Sequence, residues 1–195
     1  MWVVRSTYDK LDDKTFNLLF KALVRPHLEY GAPIWSPHLQ KYNDLIENVQ
    51  RRATKKIPGF SELEYPEPLR KLKMPTLAYR RQRGDMIQMF KLIKGFYDPT
   101  LPSIFEKNPR QSKGHSEKLN IKGATKDIRK YSFTVRAIKI WNSLPQSAID
   151  AETIVQFESE LDDHWQNQEI LYDNYKADIN IISNKKYEDF SCTLK

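Results

Sequence analysis

The sequence predicts a mainly α-helical protein arranged as a helical bundle, and it allows one small β-hairpin. Two observations lead to this fold class. Apolar residues recur at the three- and four-residue spacing of an amphipathic helix in several separate segments. Eleven prolines, set against only six glycines, divide the 195-residue chain into short segments, and some of these prolines stand where helices begin or end.

The first helix is expected between about Asp12 and Tyr30. Asp12 or Asp13 supplies a carboxylate that can cap the helix start. The apolar residues that follow have helical spacing and define one face: Phe16, Leu19, Phe20, Leu23 and Val24. Pro26 has no backbone N–H, so it should end or kink this helix.

A second helix should begin at Ser36-Pro37, a capping residue followed by proline, and end at Pro58-Gly59. Its apolar positions are Tyr42, Leu45, Ile46, Val49, Ala53 and Ile57. Four cations fall on the adjoining arc: Arg51, Arg52, Lys55 and Lys56. We therefore expect one face of this helix to enter a core and one flank to meet an anion.

The third long helix is expected from about Leu77 to Lys94, with Thr76 as its cap. Its inner stripe consists of Tyr79, Met86, Ile87, Met89, Phe90 and Ile93. Arg83 falls in that stripe, so its guanidinium must be paired or reach water along its stem. Arg80 and Arg81 are expected to point towards water.

The remaining segments give a short helix over Pro66 to Leu72 and an irregular region from Gly114 to Phe133. Residues 115–121 and the stretch before Phe133 can pair as the small hairpin, turning around Gly123. A helix from Ser132 to Ser143 is apolar on more than one side, so we expect it to be the most buried.

A last helix should start near Ala151-Glu152. Its apolar stripe is narrow and consists of Ile154, Phe157, Leu161 and Trp165, whereas its outer side carries Glu158, Glu160, Asp162 and Asp163. Beyond about Lys176 the chain is polar, and we expect a poorly ordered tail.

The charge is divided unevenly along the chain. The net charge is +7, but residues 1–143 hold 28 basic against 14 acidic side chains, and residues 144–195 hold 4 against 11. This asymmetry indicates a basic body that attracts polyanions and an acidic C-terminal part that could dock on it. The alternative is a solubilising charge with no ligand.

No catalytic or metal-binding pattern is present in the sequence. Cys192 is the single cysteine, which excludes a disulfide framework and a cysteine-based zinc site and favours an intracellular setting, nuclear or cytoplasmic. The glycine-rich phosphate loops and the nucleophile elbow are missing. The pairs Asp12-Asp13 and Asp162-Asp163 suit helix capping and a solvated helix face better than a metal site. We expect no cofactor and no membrane-spanning segment.

Basic clusters are the strongest functional signal. The first lies on the second helix and comprises Arg51, Arg52, Lys55 and Lys56; the second contains Arg80, Arg81 and Arg83; the third includes His115, Lys118, Lys122, Lys126, Arg129 and Lys130. Clusters of this kind suit phosphate contacts, which give affinity without reading sequence. The competing interpretation is that they are solvated faces.

Aromatic residues offer a weaker signal. Tyr131 and Phe133 adjoin the third cluster and could stack on bases, although a core position fits Phe133 better. Trp35, Trp141 and Trp165 have apolar neighbours, and we expect all three in the core.

Five motifs, in this order, resemble the region downstream of the polymerase core in jockey-like non-LTR retrotransposon reverse transcriptases. They are Leu23 through Pro37 (LVRPHLEYGAPIWSP), Val49 through Lys55 (VQRRATK), Tyr79 through Ile87 (YRRQRGDMI), Gly114 through Leu119 (GHSEKL), and Arg136 through Pro145, which ends WNSLP. The resemblance spans about residues 5–170.

The resemblance implies a thumb-like helical segment over residues 1–59, the C-terminal region of the enzyme over 60–172, and a tail over 173–195. It places the polymerase palm, with its aromatic-Ala-Asp-Asp magnesium motif, upstream of this chain, which we therefore expect to be a non-catalytic fragment. The implied partners are RNA or an RNA–DNA duplex, target DNA, and the palm itself. The alternative is a structural support for the palm with no ligand of its own.

Overall fold

The computed structural model describes residues 12–109, 114–121, 123 and 126–179. Over these ranges the chain is mainly helical, as the sequence predicts. The extended pairing found within them is one antiparallel bridge between Lys107 and Leu119. The predicted hairpin around Gly123 is therefore wrong, because Leu119 pairs with an earlier segment and the stretch before Phe133 forms a helix.

The first helix is interrupted where the sequence places a proline. Helix α1 spans Asp13–Leu19, a π-helical turn spans Phe20–Val24, and α2 spans Arg25–Glu29. A regular α-helix would bring the ring of Pro26 against the carbonyl group of Ala22, and the wider turn just before the proline avoids that clash. The predicted cap is confirmed, since the Asp12 carboxylate accepts a hydrogen bond from the backbone N–H of Thr15 at 3.1 Å.

Four helices follow, and the last of them is the longest. They are α3 at Ala32–Trp35, α4 at Gln40–Thr54, α5 at Pro66–Leu72 and α6 at Leu77–Ile93. Thr76 caps α6 as predicted, accepting from the N–H of Tyr79 at 3.1 Å. Its hydroxyl in turn donates to the carbonyl of Ile170, so the same residue ties α6 to the C-terminal part of the chain.

The C-terminal half supplies shorter elements that surround α6. They are a 3₁₀ turn at Leu101–Ile104, α7 at Asp127–Lys130, α8 at Phe133–Trp141, α9 at Gln146–Ile149, α10 at Ile154–Trp165 and a 3₁₀ turn at Glu169–Leu171. Because α6 packs against α3, α4, α8 and α10, it is the central helix. The expectation that α8 is the most buried helix is wrong.

Two apolar cores divide the interior. The first contains Phe16, Phe20, Ala53, Ile57, Phe60, Leu69, Leu72 and Met74. The second lies between α6, α8 and α10 and includes Met86, Phe90, Trp141, Phe157, Leu161 and Trp165. The first core crosses the boundary expected at residue 59, and the change from one core to the other falls between Met74 and Ala78.

The first residues of the segment expected as a tail pack onto the body. Ile179 is buried in the second core, and the Tyr175 hydroxyl donates to the Asp44 carboxylate at 2.8 Å. The body therefore extends at least to Ile179, and the rest of the expected tail, residues 180–195, lies outside the described residues.

Helix α4 buries a polar face, which is the opposite of the predicted arrangement. Glu47, Gln50 and Thr54 are buried, whereas Leu45 is 63% exposed and Tyr42 is also exposed. Only the last part of the predicted apolar stripe, Ala53 and Ile57, enters a core.

A group of side-chain hydrogen bonds, which we call the polar seam, explains that orientation. The Glu47 carboxylate accepts from the N–H of Leu77, the first residue of α6, at 3.1 and 3.2 Å, and from the Tyr65 hydroxyl at 2.7 Å. Gln50 donates to the carbonyl of Pro75 at 3.1 Å, and Asn43 accepts from Arg81 at 2.6 Å. Glu47 thus satisfies an unpaired donor at the positive end of α6.

His115 is a buried structural residue. Its Nε2 is 2.9 Å from the carbonyl oxygen of Trp141, and its Nδ1 accepts from the N–H of Glu117 at 3.2 Å. A carbonyl can only accept, so Nε2 carries the proton and the ring is neutral. Burial is the main factor that lowers the pKa of His115.

We predict a loss of stability in mild acid that depends on His115. The unfolded chain takes up a proton on this residue near pH 6.5, and the native state resists it. The unfolding free energy should therefore have its full value above about pH 6.5 and decrease as the pH falls below it. Urea unfolding of the wild type and His115→Gln at about pH 7.5 and about pH 5.5 should give a smaller pH dependence in the variant, whose amide can still donate to Trp141.

The matched control is His27→Gln, which alters an exposed histidine. An equal pH dependence of the unfolding free energy in the wild type and in His115→Gln would contradict the assignment of His115 as a neutral, buried histidine.

Candidate nucleic-acid interface

Three cations at the C-terminal end of α4 are open to solvent. Arg52, Lys55 and Lys56 are exposed, and no ion pair joins them to another side chain within the described ranges. Arg52 lies in the last turn of α4, Lys55 is the residue at its C-terminal cap, and Lys56 follows in a turn. We call this group the α4 cations.

Arg51, the fourth predicted cation of this helix, has a different environment. It is half-buried, and its guanidinium lies 4.7 Å from the ring centre of Tyr65 and 5.8 Å from that of Tyr175. It also donates to Asn48 at 3.2 Å. Arg51 thus joins α4 to the segment after it and to the C-terminal part of the body, and only its partly exposed edge can meet a ligand.

The second basic cluster is internally neutralised. Arg80 forms two hydrogen bonds with Glu29, one of them 2.8 Å from Nη2 to Oε2. Arg81 is only 4% exposed and donates to Asn43 in the polar seam. Burial lowers the pKa of Arg81, while Glu47 and Asp85 oppose that shift. The expectation that Arg80 and Arg81 face water is wrong, and neither guanidinium is free for a phosphate.

Arg83 is paired, as the sequence requires. Its Nε and Nη2 donate to the two carboxylate oxygens of Asp162 at 2.6 and 2.8 Å, and Glu158 lies 3.5 Å away. The hydrogen bond to Asp162 is the main cause that raises the pKa of Arg83. The acidic face of α10 therefore docks on the basic body through this ion pair. The pairing with Arg83 also explains the role of Asp162 in the sequence pair Asp162-Asp163.

The third cluster is only partly assembled. Lys126, Arg129 and Lys130 are exposed on and beside α7. Lys118 is half-buried and engaged by other groups, His115 is buried, and Lys122 lies outside the described residues. The exposed part of this cluster is thus the short stretch 126–130.

The aromatic side chains beside this stretch are committed to internal contacts. Tyr131 stacks on His38 with ring centres 4.0 Å apart and an angle of 9° between the planes. Phe133 packs against the second core, and Trp141 and Trp165 are buried in it as expected. Trp35 is not a core residue, since it is 40% exposed and its indole N–H donates to the carbonyl of Tyr30 at 2.5 Å.

Beside Trp35 lies an open apolar groove of about 960 Å³. Its walls come from α3, the N-terminal half of α4, α6 and the α7–α8 region, represented by Ile34, Trp35, Leu45, Leu92, Ile128 and Tyr131. The spacing of apolar residues does not predict this groove, because it places the apolar stripe of α4 in a core.

Arg136 holds two walls of the groove together. Its guanidinium pairs with the buried Asp85 of α6 at 2.8 and 3.1 Å. The same group donates to the carbonyl of Pro33 in α3 at 2.8 Å and to the carbonyl of Tyr131 at 3.3 Å. Burial raises the pKa of Asp85, and the hydrogen bond from Arg136 opposes that shift.

Neither a metal-binding group nor a membrane-spanning helix is found in the described ranges. No group of three or more His, Cys, Asp or Glu side chains there is placed to hold a metal ion. None of the helices in the same ranges is both long and apolar enough to cross a bilayer.

Comparisons with family models, with curated proteins and with solved structures find no match for this chain. The resemblance to retrotransposon reverse transcriptases therefore stays a prediction from the five sequence motifs.

We predict that Arg136→Ala lowers the unfolding free energy by about 3 kcal/mol, because it leaves the buried Asp85 carboxylate without its cationic partner. Urea unfolding followed by circular dichroism measures the loss. Adding Asp85→Asn to this variant should recover part of it, since the uncompensated charge is then removed. Lys139→Ala, an exposed change on the same helix, is the control. A loss below about 1 kcal/mol for Arg136→Ala would show that this contact is not structural.

Proposed function

We propose that this chain is a non-catalytic part of a retrotransposon RNA-directed DNA polymerase that binds the sugar-phosphate backbone of nucleic acid, with an RNA–DNA duplex or element RNA as ligand. The observation that carries the proposal is the group of α4 cations, which are exposed and without an acidic partner in the described part of the chain. The five ordered motifs supply the family context.

The α4 cations suit a backbone ligand better than a small anion. Arg52 and Lys56 are exposed at the end of one helix, and Lys55 lines an open surface pocket beside Glu62 and Glu64, so the group can meet successive phosphates of an extended chain. Each phosphate that a lysine or arginine neutralises releases bound counterions, which gives affinity without sequence preference. The described residues offer no free aromatic face beside them to read a base.

Long-range attraction comes from the rest of the basic body. Acidic partners neutralise Arg80, Arg83 and Arg136, but Lys126, Arg129 and Lys130 remain exposed. These residues raise the local positive potential and thus the rate at which a polyanion arrives. Target DNA would be attracted by the same field.

The second candidate function is support of a polymerase palm with no independent ligand. Leu18, Leu23 and Tyr30 favour it, because these large apolar side chains are exposed on the N-terminal helices. Exposed apolar side chains of this kind suit packing against another domain. An isolated chain that aggregates would support this candidate, whereas a monodisperse monomer with a cooperative thermal transition would count against it.

We predict that the triple variant Arg52→Ala, Lys55→Ala, Lys56→Ala binds an RNA–DNA duplex more weakly and with less salt dependence. The slope of log affinity against log salt should shrink by about 0.9 for each phosphate that the variant no longer neutralises. Fluorescence polarisation with a labelled duplex at several salt concentrations measures both quantities. Stability should change little, because the three side chains are exposed.

The matched control removes the same charge elsewhere, with Lys14→Ala, Lys21→Ala and Lys139→Ala, all exposed and outside the α4 cations. Equal effects of the two triple variants would mean that net charge alone attracts the duplex. Wild-type affinity that does not change with salt would refute backbone binding.

A further inference from the structure

The exposed half of α4 forms one wall of the apolar groove. Tyr42, Leu45 and Ile46 have the i, i+3, i+4 spacing of a helix face that packs against another element, yet they line an open groove. The polar seam fixes the rotation of α4 by occupying the adjoining side of this helix, so that the face stays outward. The groove is therefore built by specific buried contacts and is not a fraying edge.

The groove is formed in advance of any ligand. Arg136 ties α3 to α6 and to the end of α7, and the His38–Tyr131 stack joins the loop after α3 to the α7–α8 region across one end. The two outer lips carry Ile34 and Ile128, each 91% exposed. A ligand would bury these two side chains without a rearrangement of the walls.

The rim of the groove is positively charged. Lys41 stands beside Tyr42 with its Nζ 4.8 Å from that ring centre, and on the other side the Nζ of Lys130 lies 5.2 Å from the ring centre of Tyr131. Asp44 is engaged by the Tyr175 hydroxyl and lies 3.9 Å from Lys176. Asp127 is the acidic residue in the described lining, so cations outnumber free acids around the opening.

We propose that the apolar groove binds an amphipathic α-helix of a partner protein, with an aliphatic face seated in the groove and acidic residues along its flanks. The lining is apolar and combines aliphatic with aromatic side chains, which suits a helix face that inserts anchors at i, i+3, i+4 and i+7. The basic rim on both sides is complementary to acidic flanks and hostile to basic ones. This inference is independent of the phosphate contacts assigned to the α4 cations.

Neither nucleic acid nor the acidic helix α10 of a second copy matches the groove as well. The aromatic rings in the lining already have internal partners, since Tyr131 is stacked on His38, Lys41 lies over the Tyr42 ring, and the Trp35 indole N–H is bonded to Tyr30. The acidic helix α10 of a second copy has its own apolar side buried, with Phe157 and Leu161 in the second core. It could offer acidic flanks but no aliphatic face.

The probe is a fluorescein-labelled helical peptide of about 16 residues, long enough to follow about 24 Å of groove. It carries leucine at the inner positions and glutamate at the flanking ones. A second peptide has lysine in place of every glutamate. Fluorescence polarisation with the full chain should give micromolar affinity for the acidic peptide and at least about tenfold weaker binding of the basic one.

The decisive variants are Ile34→Glu and Ile128→Glu, which change exposed side chains and should leave the fold intact. Each should lower the affinity for the acidic peptide by at least about tenfold, because a carboxylate would enter an apolar contact. Val155→Glu is the matched control, since this valine is also exposed, at 78%, but lies on α10 away from the groove. It should leave the affinity unchanged.

Four outcomes would overturn the inference. One is no binding of the acidic peptide at concentrations up to about 1 mM. Another is an equal effect of Val155→Glu and the groove variants. The third is displacement of the bound peptide by an RNA–DNA duplex in the triple alanine variant of the α4 cations. That result would mean that the groove rim binds nucleic acid. Dimerisation of the chain that is abolished by Ile34→Glu would assign the groove to a second copy instead.

Discussion

The hydrogen bond between the Glu47 carboxylate and the first N–H of α6 is the contact on which the rest of the structure depends. It places a buried negative charge at the positive end of the central helix, with Arg81 one turn further along. Burial is the main cause that raises the pKa of Glu47, and the hydrogen bonds from Tyr65 and Leu77 oppose it. Because the polar side of α4 must face α6 to make these contacts, Tyr42 and Leu45 in the N-terminal half of α4 are left exposed and become part of a wall of the groove.

Internal polar contacts also decide which cations can bind a ligand and which cannot. Arg81, Arg83 and Arg136 hold helices together, and each has a carboxylate or amide partner. The cations that remain open lie at the end of α4 and on α7, and no ion pair within the described residues engages them, although Glu62 and Glu64 share a pocket with Lys55 and Asp127 lies on α7. The total positive charge of the body therefore overstates its ligand-binding charge, and phosphate contacts concentrate at a few positions.

Local signals in the sequence predict the helices well. The spacing of apolar residues identifies the long helices, Asp12 and Thr76 are recognisable as caps, and the pairing of Arg83 follows from its place in an apolar stripe. The sequence predictions are wrong where contacts between distant parts of the chain determine how a helix or side chain is placed. Periodicity assigns the α4 stripe to a core, although Asn43, Glu47, Gln50 and Thr54 form an equally regular polar stripe. Nothing local shows that Arg81 meets Asn43 or that Leu119 pairs with Lys107. Several residues of the resembling motifs prove to contact one another, such as Asp85 with Arg136 and His115 with Trp141, so the motifs describe packing as much as binding.

The orientation of α4 can be tested directly by thiol labelling of two single-cysteine variants in a Cys192→Ser background. Leu45→Cys should react with a water-soluble thiol reagent nearly as fast as in the unfolded chain, because this position faces the groove opening. Gln50→Cys should be protected and react only when the chain unfolds, because this position faces α6. Protection of position 45 together with rapid labelling of position 50 would show that α4 packs its apolar side inward, and both the polar seam and the groove would then be wrong.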